Sequence, residues 1–169
     1  MILRVTVASL LLGAGALQPA SPAQPAAHRA AGSLVGAWRL VSWTERLKDG
    51  TSRQNPRTVG SLMYSDSGRM CGVIIDPRRP AWRGRPPEDG EVRAAFDGLV
   101  AYCGTYDLHT DEGFVIHHVD IEKSPGSVGM TRKRWFEFAG PNRLSLRIDP
   151  AENGANIAEA VLVWERVQS

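Results

Sequence analysis

The chain has 169 residues, 43% of them hydrophobic, and its 20 Lys and Arg nearly balance 18 Asp and Glu, which leaves a formal net charge of +2. This balance argues against a nucleic-acid-binding protein, which normally presents a basic face with aromatic residues. Four arginines cluster in the loop DPRRPAWRGRPPED, but acidic residues flank them at both ends, which indicates a solvated loop. They are Arg78, Arg79, Arg83 and Arg85.

The first 17 residues have the parts of a secretory signal peptide. Arg4 and the α-amine give a positive start, residues 5–17 form an apolar run, and Ala14 and Ala16 offer small residues for cleavage. The run is shorter than the roughly 20 residues of a membrane span, and an uncleaved anchor is the alternative. We therefore expect export to a periplasm or to the medium, with no stable membrane insertion after cleavage.

The segment 18–32 is rich in Ala and Pro and predicts a flexible spacer. The remaining residues, 33–169, are enough for one domain with a sizeable core and too few for two. A single globular domain is expected there.

Short runs of β-branched and alternating residues, separated by turn signals, predict eight strands in this domain. In chain order they are 34–45, 59–65, 69–76, 102–108, 114–121, 131–139, 143–148 and 157–167. Turn sequences such as SDSG and TDEG predict hairpins between consecutive strands.

The spacing of apolar residues changes between the third and fourth strands. Val92, Ala95, Phe96 and Leu99 recur at three- and four-residue intervals, which predicts one amphipathic helix over about 88–101. Eight hairpin-connected strands can remove their edges by closing into an antiparallel barrel, whose interior holds one small ligand. We expect such an all-β barrel with the helix covering an end; a sandwich is the alternative.

Cys71 and Cys103 are the two cysteines of the chain. In an exported protein, two cysteines can form a disulfide because the compartment is oxidising. If their strands are consecutive and antiparallel, the end of the first faces the start of the second. This places the two sulfurs several residues apart, whereas a bridge needs Cα atoms within about 7 Å. The pattern therefore argues against a bridge and leaves the question open.

Several segments resemble a known family. Gly36-Ala37-Trp38 looks like the G-x-W signature of lipocalins, and further segments resemble the bacterial and fungal lipocalin-like domain family in the same order. These are GSLMYSDSGRM, AAFDGLVAYCGTYDL, VIHHV, RKRWFEF and LVWERV. The resemblance implies a barrel closed at one end by Gly36, Trp38 and a basic residue of the last strand, here Arg166. The chain departs from the family at Gly126-Ser127, where relatives often have Asn-Trp.

Two adjacent histidines lie within the strand GFVIHHVDIE. Successive side chains of a strand point to opposite faces, so His117 and His118 cannot chelate one metal together. The set Val115, His117, Val119 and Ile121 is mainly aliphatic; we therefore expect His117 to face the interior and His118 to lie at the surface near Asp120. Zinc would need two or three further ligands, and we expect neither a metal nor a cofactor.

A polar group inside an apolar barrel can orient a ligand or transfer protons, although it can equally be a core histidine bonded to a Tyr or Thr. Strand parity supplies its candidate neighbours in a ligand site: Tyr102, Tyr106, Arg134 and Phe136. Tyr64 is a further candidate for the lining, with ordinary core packing as the alternative. An inward Arg134 would need an anion, a carboxylate partner or solvent, and it could bind a ligand carboxylate or enolate. An outward Arg134 fits the pattern equally well.

The favoured hypothesis is an exported lipocalin-like protein that binds a small lipophilic molecule in the barrel. The sequence favours a non-catalytic role but leaves open whether the protein is an enzyme. No G-x-S-x-G motif or recognisable catalytic cysteine occurs in the sequence. One alternative is a cyclase or isomerase of a hydrophobic metabolite, in which His117, a tyrosine and Arg134 move protons or stabilise an enolate. Another is a barrel with a filled core and an interaction role.

Overall fold

The computed structural model describes residues 34–168. The predicted signal peptide and spacer lie outside them. The described strands are β1 (Gly36–Leu47), β2 (Ser52–Gln54), β3 (Val59–Tyr64), β4 (Arg69–Ile75), β5 (Leu99–His109), β6 (Phe114–Glu122), β7 (Thr131–Phe138), β8 (Arg143–Ile148) and β9 (Ile157–Arg166). The helical elements are α1 (Asp89–Asp97) and two 3₁₀ turns, η1 (Pro125–Ser127) and η2 (Pro150–Glu152).

Eight of these strands form a closed antiparallel barrel. From β3 to β9 each strand pairs with the next, while β1 pairs with both β3 and β9 and so closes the sheet. The predicted eight-stranded antiparallel barrel is confirmed. The additional strand, β2, lies outside the barrel count and pairs with β1 over Thr44–Arg46. It was not predicted because its three residues are all polar and show no alternation of apolar and polar side chains.

Alternation along the strands directs the apolar side chains into the barrel. Burying a side chain of Leu size stabilises the fold by about 1.5–3 kcal/mol. The buried core comprises Leu34, Trp38, Leu40, Trp43, Leu62, Tyr64, Met70, Ile74, Val115, Leu144, Leu146, Leu162 and Trp164. No helix within residues 34–168 has the length and apolar character needed to cross a membrane.

The closed end of the barrel is the end at which β1 begins. Trp38 is fully buried there, and its Nε1 donates a hydrogen bond to the Leu34 carbonyl oxygen at 2.9 Å. The Arg166 guanidinium lies over the Trp38 ring, with Cζ 4.1 Å from the ring centroid. Gly36 has φ +134°, and a Cβ at this position would lie 2.5 Å from Arg166 Nη1. Gly36, Trp38 and Arg166 therefore pack together at this end of the barrel.

The helix lies at the opposite, open end, between β4 and β5. The prediction that it extends to Ala101 is wrong, because α1 ends at Asp97 and Leu99 already pairs with Ile75 in the sheet. Gly98 ends the helix and its carbonyl oxygen accepts a hydrogen bond from the Asp76 backbone N–H at 2.8 Å. Strand pairing therefore overrides the helical spacing of the last apolar residues.

The earlier start of β5 also changes the cysteine geometry. With Leu99 opposite Ile75, Cys71 faces Cys103 directly, and their Cα atoms are 4.1 Å apart. The two residues form a disulfide. The expectation that the sulfurs lie several residues apart is wrong because it assumed that the strand began at Tyr102.

Candidate ligand site

A cavity of about 220 Å³ lies inside the barrel, toward the open end. Its walls are mainly apolar, and two tryptophans, Trp43 and Trp164, contribute to them. The aliphatic lining residues are Leu62, Ile74, Val100, Leu146, Ile148 and Leu162. Gly72 also lines the cavity, and a Cβ there would make ordinary contacts with Leu62 and Tyr102, so the missing side chain leaves space for a ligand.

His117 provides the centre of the polar part of the cavity. It lies on β6, faces the interior as expected, and is only 1% exposed. Its Nε2 is 2.7 Å from Tyr64 Oη, and its Nδ1 is 3.0 Å from Tyr102 Oη. Both ring nitrogens are therefore hydrogen-bonded to tyrosines, as in the alternative of a core histidine bonded to a Tyr that the sequence left open.

The environment of His117 favours the neutral imidazole. Burial lowers its pKa well below the ordinary value, and the positive charges of Arg134 and Arg132 act in the same direction. Burial likewise raises the pKa of Tyr64 well above its ordinary value. At neutral pH both side chains are uncharged, and their hydrogen bond links two neutral groups.

His118 points outward, and its Nε2 is 2.7 Å from Asp107 Oδ2. The carboxylate of Asp120, two residues further along the strand, pairs instead with Arg69. The expectation that Ile121 shares the inward face is wrong. Asp120 is an extra residue in β6 and forms a bulge, so that Ile121 pairs with Cys103. Ile121 therefore faces outward and is 60% exposed, and the next residue, Glu122, faces inward.

Arg134 faces inward on β7 and is 7% exposed. Its Nη1 donates to both carboxylate oxygens of Glu152 at 2.9 Å and to the Lys133 carbonyl oxygen at 2.7 Å. The 3₁₀ turn η2 brings Glu152 to this position, and its side chain remains 25% exposed, which marks where the cavity approaches solvent. The carboxylate partner that an inward Arg134 needs is therefore supplied by the chain.

A second ion pair lies beside the first. Arg132 Nη2 donates to Glu122 Oε2 at 2.8 Å, and the Arg132 guanidinium lies over the Tyr102 ring at 4.8 Å. Sequence reasoning missed both Arg132 and Glu122. Arg132 could have been found from the sequence, because residues two apart on one strand share a face and Arg134 is two residues further along. Glu122 could not, because its side chain faces inward only as a result of the bulge in β6.

The model of the lipocalin-like domain family matches residues 35–167. This chain belongs to the lipocalin-like domain family. Among solved structures, a redesigned β-barrel resembles it with a TM-score of 0.42 and 14% sequence identity, covering 83% of this chain and 96% of that one. No curated protein matches the chain.

Three of the six predicted ligand-site residues line the cavity of this lipocalin-like domain: His117, Tyr102 and Arg134. Tyr64 does not line the cavity, but its hydroxyl is hydrogen-bonded to His117, which does. The other two belong to the packing of the closed half. Tyr106 donates its hydroxyl to the Ser65 carbonyl oxygen at 2.8 Å, and Phe136 packs against Phe138 at 5.7 Å between ring centroids.

The lipocalin-like domain has further lining residues that the sequence did not single out. Trp43 and Trp164 lie on β1 and β9, which pair with each other, and the indole N–H of each lacks a hydrogen-bond partner within residues 34–168. Trp43 turns inward because Val41 is an extra residue in the β1–β9 pairing, which changes the parity of the strand. Within the same described residues, no cluster of three or more His, Cys, Asp or Glu could hold a metal ion.

Proposed function

We propose that this lipocalin-like domain binds a small, largely apolar molecule in the barrel cavity and that the protein is exported. The observation that supports ligand binding is the apolar cavity of about 220 Å³, which has one polar wall formed by Tyr102, His117 and Arg134. Ligand sites of this composition, mostly apolar with a few placed polar groups, are the common form of small-molecule pockets.

The volume limits the size of the ligand. Drug-sized molecules occupy pockets of about 300–1,000 Å³, whereas an engineered cavity of about 150 Å³ holds benzene. A cavity of about 220 Å³ therefore suits one or two fused rings, with any longer substituent extending past Glu152 toward solvent.

The two alternatives are less well supported. A filled core is disfavoured by the cavity itself. Proton transfer at neutral pH favours a group whose pKa lies near 7, whereas the pKa of the buried His117 lies well below that range. This favours an orienting role for His117 over a catalytic one.

The test is binding of a panel of naphthalene derivatives, followed by thermal unfolding and native mass spectrometry. A ligand at 100 times its dissociation constant adds about 2.7 kcal/mol to the stability. The Gly72→Val variant, whose side chain enters the cavity, is expected to abolish the shift. Gly126→Val is the matched control because a Cβ there meets nothing within 4 Å. Equal binding by the two variants, or no shift with any probe, would overturn the proposal.

Export is tested separately by the mass and compartment of the native protein. The expected product is shortened at its N-terminus and is recovered from the periplasm or the medium. A full-length protein found only in the cytoplasm would refute export without affecting the cavity proposal.

A further inference from the structure

We infer that the ligand carries an oxygen acceptor, a carbonyl or a carboxylate, and that the Tyr102 hydroxyl donates a hydrogen bond to it. This inference rests on the proposed function. It is carried by the direction of the hydrogen bonds in the Tyr64–His117–Tyr102 chain and by a surplus of donors in the cavity wall.

The first step is the position of the His117 proton. A neutral imidazole has one N–H donor and one acceptor nitrogen. Tyr64 is 2% exposed, and within residues 34–168 the only hydrogen-bond partner of its hydroxyl is His117 Nε2. If Nε2 carried the proton, the hydroxyl hydrogen of Tyr64 would be buried without an acceptor, which is costly. Tyr64 therefore donates to Nε2, and the imidazole proton lies on Nδ1.

The second step is the direction of the Tyr102 hydroxyl. Because Nδ1 carries the proton, His117 donates to Tyr102 Oη, and that oxygen acts as an acceptor in this bond. The Tyr102 hydroxyl hydrogen must then point elsewhere. Tyr102 lines the cavity, and no other described residue accepts from its hydroxyl. The cavity therefore contains a donor directed at its contents.

The third step is the chemistry of the remaining wall. Arg134 uses only Nη1 in hydrogen bonds, so its Nε and Nη2 have no partner within residues 34–168. The indole N–H groups of Trp43 and Trp164 and the Nε–H of Arg132 are unpaired there as well, but these three nitrogens are buried away from the cavity space and do not add to its accessible donors. The lining carboxylate, Glu152, already accepts from Arg134. Donors thus exceed acceptors, and a ligand that supplies an oxygen acceptor complements the wall better than one that supplies an N–H donor.

The experiment compares four probes of similar shape: naphthalene, 2-acetylnaphthalene, 2-naphthoate and 2-(aminomethyl)naphthalene. Dissociation constants are measured by calorimetry or by quenching of tryptophan fluorescence. The ketone, the carboxylate or both are expected to bind at least about tenfold more tightly than the hydrocarbon and the amine. The ratio between the ketone and the carboxylate distinguishes a neutral ligand from an anionic one.

The Tyr102→Phe variant locates the donor. It should lower the affinity for the better oxygen-bearing probe about tenfold and leave the naphthalene affinity within about twofold. Tyr106→Phe is the matched control, because that hydroxyl donates to Ser65 and does not line the cavity. The inference is wrong if the hydrocarbon or the amine binds as well as the ketone and the carboxylate. It is also wrong if Tyr102→Phe leaves unchanged the ratio between the affinity for the better oxygen-bearing probe and the affinity for naphthalene. Absence of binding by all four probes refutes the proposed function instead.

A nitrogen NMR spectrum of His117 tests the hydrogen-bond chain independently of any ligand. The expected spectrum shows a protonated Nδ1 and an unprotonated Nε2, with His118 as the internal comparison at the surface. A protonated Nε2 would reverse the direction of the chain and overturn the inference.

Discussion

Arg166 lies across the indole ring of Trp38 and joins the last barrel strand to the first, with its Cζ 4.1 Å from the ring centroid. Its Nη1 donates to the Val35 carbonyl oxygen at 2.7 Å, and its Nε donates to the Pro141 carbonyl oxygen at 3.0 Å. A cation over an aromatic face stabilises by about 0.5–2 kcal/mol, more when both groups are shielded from water. The contact therefore fixes the closed end below the cavity.

Gly36→Ala is expected to destabilise the barrel through this contact. Its φ of +134° is strained for a residue with a Cβ, and the added carbon would displace Arg166 Nη1. Backbone strain of this kind costs about 1–3 kcal/mol, and the lost guanidinium contact adds to it. Urea unfolding measures the change. Gly50→Ala is the control, because φ is +87° but the Cβ meets open space. Equal losses in both variants would show that the Arg166 contact contributes nothing.

Reduction of the bridge between Cys71 and Cys103 is expected to lower the free energy of unfolding. The bridge spans 32 residues, and the chain-entropy model gives about 3–4 kcal/mol for a loop of this length. Denaturation with and without a reductant measures the loss, and alkylation followed by mass spectrometry verifies the redox state. The double Cys71→Ser, Cys103→Ser variant should lose a similar amount and become insensitive to reductant. Reductant sensitivity in that variant would contradict the assignment.

The stability of the protein is expected to fall as the pH decreases below 6.5. Burial lowers the His117 pKa in the folded protein, while in the unfolded chain it returns to about 6.5. Below that pH the unfolded state binds the additional proton, so the free energy of unfolding decreases by up to about 1.4 kcal/mol per pH unit. Denaturation at several pH values between about 5 and 7 measures the slope. His117→Gln should flatten it, whereas the surface variant His118→Gln should leave it unchanged; the reverse result would place the titrating group elsewhere.

Glu152→Gln is expected to shift the ligand preference toward anions. The substitution removes the carboxylate that neutralises Arg134 while it keeps an amide oxygen able to accept a hydrogen bond. Affinity for 2-naphthoate should increase several-fold relative to 2-acetylnaphthalene, because the buried guanidinium then lacks its counter-charge. Glu137→Gln, an exposed change on the same strand as Arg134, should leave the ratio unaltered. An unchanged ratio in Glu152→Gln would place the bound anion away from Arg134.

The strands and the inward direction of His117 could be read from the sequence because both depend on local chemistry. Turn sequences such as SDSG punctuate the chain, and the two-residue period of Val115, His117 and Val119 assigns a face within one strand. The alternation places His117 in the core without knowledge of any other strand, and its burial to 1% follows from that.

The tertiary structure alone decided the register between strands and the partners inside the barrel. Cys71 meets Cys103 because Leu99 pairs with Ile75, and Glu122 turns inward because Asp120 forms a bulge. A bulge changes the parity of every residue after it, and backbone pairing between strands, rather than the local period, determines where it occurs. The composition, the turns and the alternation therefore determined an all-β domain with a histidine inside. Only closure of the sheet brought that histidine between two tyrosines and placed Glu152 against Arg134, since these contacts join segments distant in the chain.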